Sequence, residues 1–272
     1  MVSAVSRLNS IVGGDTFVSI RTDFIWYEFN ASTSPKTLIL ANDFFFLQGE
    51  AENETIIRRH GVNSYSDFEK FKSKQSDKEI KQVTPYPFFP ISSISPLPVI
   101  FDKADLRRCT LLSSSKVTLN DLLVNDIVFL GSFRNLYLLE RLLKDNYLTF
   151  NLVQNNISVT ITANDSTKTL KLLGTPDSEH SDFCFFRKLP GPRNNTIILF
   201  MSFFDTGMRA TMNFISDPNE VKGLEQVFVR QFGHVPKYFD VLFKVSGYSR
   251  TAFKIGVEHL HEINPQKPQI WE

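Results

Sequence analysis

NDIVFLGSFRNLYLLERLLK, running from Asn125 to Lys144, is the stretch whose reading decides the fold. Ile127, Val128, Phe129 and Leu130 form an unbroken apolar run of strand length, the mark of a strand covered on both faces. Gly131 and Ser132 then break the run. The leucines from Leu136 to Leu143 recur at helical spacing, so the reading is strand, sharp turn, amphipathic helix. A second unit of the same kind spans Asn195 to Ile215, NTIILFMSFFDTGMRATMNFI. Two such units predict an α/β domain with a mixed, twisted sheet and flanking helices. A crevice is expected where the turns emerge, because backbone N–H groups at a helix start point outward together.

Each turn carries residues suited to a small anion. In the first, Gly131 allows close backbone approach, Ser132 or Asn135 can cap the helix, and Arg134 can hold a phosphate or carboxylate through a bidentate contact. In the second, Asp205 or Thr206 can cap, Gly207 permits close approach of chain or ligand, and Arg209 supplies a cation. The expected ligand site is therefore Ser132, Arg134, Asn135, Asp205, Thr206, Gly207 and Arg209. Neither turn contains G-x-G-x-x-G or G-x-x-x-x-G-K-[ST], so no dinucleotide or P-loop fingerprint is present. Asp205-Thr-Gly resembles the aspartic-protease triplet, but that chemistry needs two such carboxylates and the chain has one copy.

Two further loops are candidate crevice walls or plain exposed turns: Lys188 to Arg193, and Ser246 to Thr251 with Tyr248 and Arg250. His259 and His261 share one face of a strand, but no third ligand stands at a convincing spacing, and Glu258 and Glu262 are expected on the opposite face. There is no G-x-S-x-G elbow and no Cys/His pair in a recognisable context.

The chain has 272 residues, enough to bury a large core without disulfides or metals. Its 26 phenylalanines predict an aromatic interior. A net charge of +1 provides no basic excess, so nucleic acid is not an expected partner. The cluster Lys70, Lys72, Lys74, Lys78 and Lys81, interleaved with Glu69, Asp77 and Glu79, reads as a solvated face. Cys109 and Cys184 are expected as buried free thiols, pointing to a reducing, cytoplasmic setting. No apolar run reaches the length of a membrane span, and the first residues lack the apolar core of a signal peptide.

Three regions are expected. Residues 1–83 form a smaller N-terminal α+β region. It contains strands at Trp26–Phe29 and around Thr37–Leu47, and a helix starting near Ser64. Residues 84–98 carry five prolines among Tyr86, Phe88 and Phe89, and predict an extended, packed connector. Residues 99–272 form the α/β domain. It opens with a strand at Pro98–Phe101 and a short helix at Leu119. Hairpin strands follow over 147–173, strands at 183–187 and 196–204, a helix at 220–232, a strand at 238–245 and an edge strand at 252–263.

The layout of Leu119 to Lys144, a strand followed by Gly131, Ser132, Phe133, Asn135 and a helix, resembles uncharacterised bacterial Rossmann-like domains of sensory and regulatory proteins. The resemblance covers about the C-terminal two thirds and carries no catalytic residues. It implies a ligand-binding domain. The expectation is a non-enzymatic, regulatory domain recognising a small anionic molecule, with a nucleotide among the candidates and no cofactor assigned. The alternatives are an enzyme acting on a nucleotide or sugar in the same crevice, with Asp205 as its acid or base, and a protein–protein interaction module presenting the aromatic, proline-rich segment.

Overall fold

The structure is a computed structural model that describes residues 24–49, 52–59, 62, 65–75, 80–82, 89, 94–104, 106, 108–143, 147–151, 157–163 and 166–264. Helix α1 (Tyr27–Ala31) leads into β1 (Lys36–Leu40). A small antiparallel sheet follows, made of β2 (Phe46–Gln48), β3 (Thr55–Ile57) and β4 (Ile80–Gln82), with α2 (Tyr65–Lys72) between the last two. Next come α3 (Leu97–Lys103), β5 (Thr110–Ser113), α4 (Leu119–Val124) and β6 (Asp126–Ser132). Two 3₁₀ segments, Phe133–Asn135 and Tyr137–Leu143, precede a second antiparallel sheet of β7 (Leu148–Asn151), β8 (Ser158–Ala163) and β9 (Ser166–Lys171). The chain ends in β10 (Glu179–Pro190), β11 (Thr196–Ser202), α5 (Asp205–Ser216), α6 (Pro218–Phe232), β12 (Phe239–Tyr248) and β13 (Thr251–Glu262).

Seven strands form one mixed sheet in the order β13-β12-β10-β11-β6-β1-β5. The run from β11 to β5 is parallel, and β10, β12 and β13 join antiparallel. Both faces are covered, as the unbroken apolar runs require. Val128 and Leu130 face one layer with Phe29, Ile100, Met208, Met212 and Phe228. Ile127 and Phe129 face the other with Leu122, Leu139, Leu142 and Val159. The aromatic interior is real: Phe228 packs on Phe239 at 4.8 Å and edge-on to Phe24 at 5.8 Å. β1, from the 1–83 region, lies inside the large sheet, while β2 to β4 and α2 close a small core of their own around Phe44, Phe46 and Phe68.

Several local expectations are corrected. Trp26 and Phe29 belong to a helical turn, not a strand. Both are fully buried, and their spacing of three matches a helix rather than the alternation of a half-buried strand. Pro98–Phe101 is helical, in α3, because Pro98 falls in the first turn, where its missing N–H has no partner to lose. Thr37–Leu47 divides between two sheets, with β1 in one and β2 in the other. The leucine-rich stretch after Gly131 is 3₁₀ rather than α. Leu139 and Leu142, three apart, face one layer, and the Leu139 amide donates to the Leu136 carbonyl. Lys188 is no turn residue: it lies fully buried in β10, bonded to Glu28 and to the Phe24 carbonyl at 2.6 Å each. Of the aromatic residues in the proline-rich connector, Phe89 packs against the core, while Tyr86 and Phe88 lie outside the described residues. No helix of the described residues is long and apolar enough to cross a membrane.

Candidate anion site at the carboxyl edge of the sheet

β6 and β11 are adjacent and parallel, with Ser132 paired to Ser202. The two turns therefore leave the same edge of the sheet side by side. They leave toward opposite faces. Phe133, Leu136 and Leu139 enter one layer, while Met208 and Met212 of α5 enter the other. The gap between them is filled by Phe133 against Phe203, with ring centroids 4.5 Å apart. The sequence-predicted residues consequently fall into two groups.

The second group is committed to the chain's own partners. Asp182 of β10 is fully buried, and its carboxylate accepts from the amides of Gly207 at 2.6 Å, Phe204 at 3.2 Å and Phe183 at 2.7 Å. Asp182 thus occupies the helix N-terminus that an external anion would use. A Cβ on residue 207 would stand 2.4 Å from the Asp182 carboxylate, which is why glycine is there. Burial pushes the Asp182 carboxyl up to about 7, against the opposing pull of those amides. Asp205 lies 3.7 Å from Arg250, which also grips Asp177 at 2.7 Å. Thr206 is buried with its hydroxyl unpartnered among the described residues, and Arg209 is exposed.

The first group faces the end of β1. Gly131 is required by space: a Cβ there would stand 2.0 Å from the Ala41 Cβ. Ser132 accepts from the Arg134 amide at 3.3 Å and so caps its own turn. Asn135 is a clamp between strands, donating to the Asn42 carbonyl at 2.7 Å and to Asp43 at 3.0 Å. The Tyr137 hydroxyl donates to the same Asn42 carbonyl at 3.0 Å. Tyr137 holds φ +50°, a left-handed conformation that costs a bulky residue roughly 1–2 kcal/mol. Its phenol pKa is raised by burial, with Asp43 and Asp67 adding to the shift and Arg58 opposing it. The phenol is therefore a neutral donor at physiological pH.

Arg134 stands apart from its neighbours in the turn. Its guanidinium is half-buried and makes no ion pair or side-chain hydrogen bond with the described residues. Its pKa is lowered, first by burial and then by the neighbouring Arg58 charge, and only Asp43 opposes the shift. Arg58 itself bonds Asp43 at 3.2 Å and the Val62 carbonyl at 3.3 Å. Arg134 and Arg58 thus both lie in the neighbourhood of the Asp43 carboxylate.

Sequence reasoning missed Asp43, Arg58 and Tyr137 because they come together only through the pairing of β1 with β6 and the fold of the small sheet. Asp182 had one local signal, a carboxylate directly before the apolar run Phe183 to Phe186. His259 and His261 do share a face, both against Tyr147. Glu258 sits at a register shift and pairs with Lys168 of β9. No group of three metal-binding side chains occurs among the described residues. No protein-family model matches the sequence, and no curated protein matches it.

Proposed function

We propose that this protein is a non-enzymatic, regulatory domain that binds a small anionic molecule at the carboxyl edge of its parallel strands. The site centres on Arg134, flanked by Ser132, Asn135 and Arg58. The observation that carries this reading is the half-buried Arg134 guanidinium, which makes no ion pair with the described residues and lies near the Arg58 charge. Burying charge without a partner costs free energy, and a bound phosphate or carboxylate would offset that cost through charge-assisted bonds. The strained Tyr137 at the same place supports the reading, since backbone strain collects at functional sites. The change of face between β6 and β11 supports a Rossmann-like use of the sheet, with ligands outside the carboxyl strand ends. Asp205, Thr206, Gly207 and Arg209 then shape the neighbouring edge, with Arg209 as its exposed cation. Free Cys109 and Cys184 support a cytoplasmic setting. The division into residues 1–83, 84–98 and 99–272 stays part of this proposal.

The test is a thermal-shift screen of phosphorylated and carboxylated metabolites on wild type and Arg134→Gln. A ligand of the native state must raise its stability. Stabilisation of wild type that is lost in the variant supports the reading, and no stabilisation of wild type by any compound overturns it.

A further inference from the structure

We infer that the ligand is a nucleoside monophosphate whose base lies in a cavity along α2, an inference that rests on the anion site proposed above. The cavity has a volume of about 350 Å³ and is lined by Arg59, Val62, Asp67, Lys70, Phe71 and Lys74. That volume falls within the range of small-molecule sites, roughly 300–1,000 Å³. Asp67, Lys70, Phe71 and Lys74 recur at positions i, i+3, i+4 and i+7, so one side of the α2 segment builds the wall. Lys70 and Lys74, two of the lysines that read as a solvated face in the sequence, are exposed and border this cavity.

Two features fit a planar anion. The floor is apolar, made by buried Val62 and half-buried Phe71, and the Arg59 guanidinium lies 4.8 Å from the Phe71 ring centroid. A flat guanidinium on an aromatic ring is a surface on which a base can stack. Among the described residues the rim carries Arg59, Lys70 and Lys74 and the carboxylate of Asp67. A neutral aromatic would leave these cations unused, and a sugar phosphate would leave the floor unused.

The cavity and the Arg134 edge are physically joined. Arg58 bonds Asp43 with one nitrogen and the Val62 carbonyl with another, so it connects the strand end to the cavity wall. Tyr137 is within electrostatic reach of both Asp43 and Asp67. A base stacked on the Arg59 guanidinium, itself supported by Phe71, would leave its phosphate to the Arg58 side of the cavity.

The test is calorimetric titration of the full chain with AMP, GMP, CMP and UMP, and with ribose 5-phosphate and inorganic phosphate as controls. At least one nucleotide is expected to bind about tenfold tighter than ribose 5-phosphate, the contribution of one stacked base. Phe71→Leu should erase that gap, and Arg59→Ala, which leaves the small core intact, should narrow it. Arg134→Gln should weaken nucleotide and ribose 5-phosphate alike. Equal binding of nucleotides and ribose 5-phosphate, or a gap that survives both Phe71→Leu and Arg59→Ala, overturns the base cavity and leaves the anion site standing. No binding of any probe overturns both.

Discussion

Replacing Asp182 by asparagine should change how the protein's stability depends on pH. Asp182 is fully buried, and its carboxyl is pushed up to about 7, whereas an unperturbed aspartate titrates near 3.8. Between those values the native state holds a proton that the unfolded chain has released. Stability therefore falls as pH rises through this window. Below about pH 4 both states are protonated, and the favourable contribution is fully present. Above about pH 7 both are ionised, and it is gone. The window spans about three pH units, each worth about 1.4 kcal/mol, so the loss is roughly 4 kcal/mol. An asparagine side chain cannot ionise, so the Asp182→Asn variant lacks this component while every other titrating group cancels in the comparison. Urea unfolding of both proteins across the window, at fixed ionic strength, reads the difference directly. The wild type should lose stability relative to the variant as pH rises from about 4 to about 7. Parallel curves would refute the argument, because they would mean that the amides of Gly207, Phe204 and Phe183 hold the carboxylate ionised without cost.

Gly131→Ala should lower the urea midpoint by the equivalent of about 1–3 kcal/mol with little change in slope, because its Cβ would stand 2.0 Å from that of Ala41 between two central strands. Arg187→Met should cost roughly 3–5 kcal/mol in the same assay, since it takes the cation from Asp240, now held by two 2.7 Å bonds in a fully buried pair. The double variant Arg187→Met with Asp240→Leu should recover much of that loss, and a double-mutant cycle measures the recovery. Cys184 should resist thiol reagents until the protein unfolds, because burial pushes its thiol up to about 12, whereas the partly buried Cys109 should react first in a native-state labelling time course.

The large elements were legible wherever the chain's own pattern sufficed. Ile127–Leu130 and Ile197–Met201 are apolar without interruption, and both became central strands of a sheet covered on two faces. Val221, Leu224 and Phe228 gave the stripe of α6, and the alternation in Ser158–Ala163 gave β8. The misread pieces are those where one residue's meaning depended on position. Pro98 is a helix breaker in general and a helix starter in the first turn of α3. The leucines after Gly131 fit a helix, but the Asn135 clamp and the left-handed Tyr137 hold the segment to 3₁₀ geometry. In the site, Arg134 was readable as a cation after a turn. That the second turn's amides are satisfied by Asp182 was not, because the bond joins residues 25 apart across two strands.

The central claim is that Arg134 serves a ligand rather than the fold, and one measurement tests it most directly. The melting temperatures of wild type and Arg134→Gln are compared with and without a saturating phosphorylated ligand. Without ligand, the variant should melt at the same temperature as wild type or higher, since removing a half-buried cation beside Arg58 relieves repulsion and desolvation. With ligand, wild type should rise and the variant should not. An unliganded variant that melts several degrees below wild type, with no ligand shift in either protein, would contradict the account and make Arg134 a structural residue.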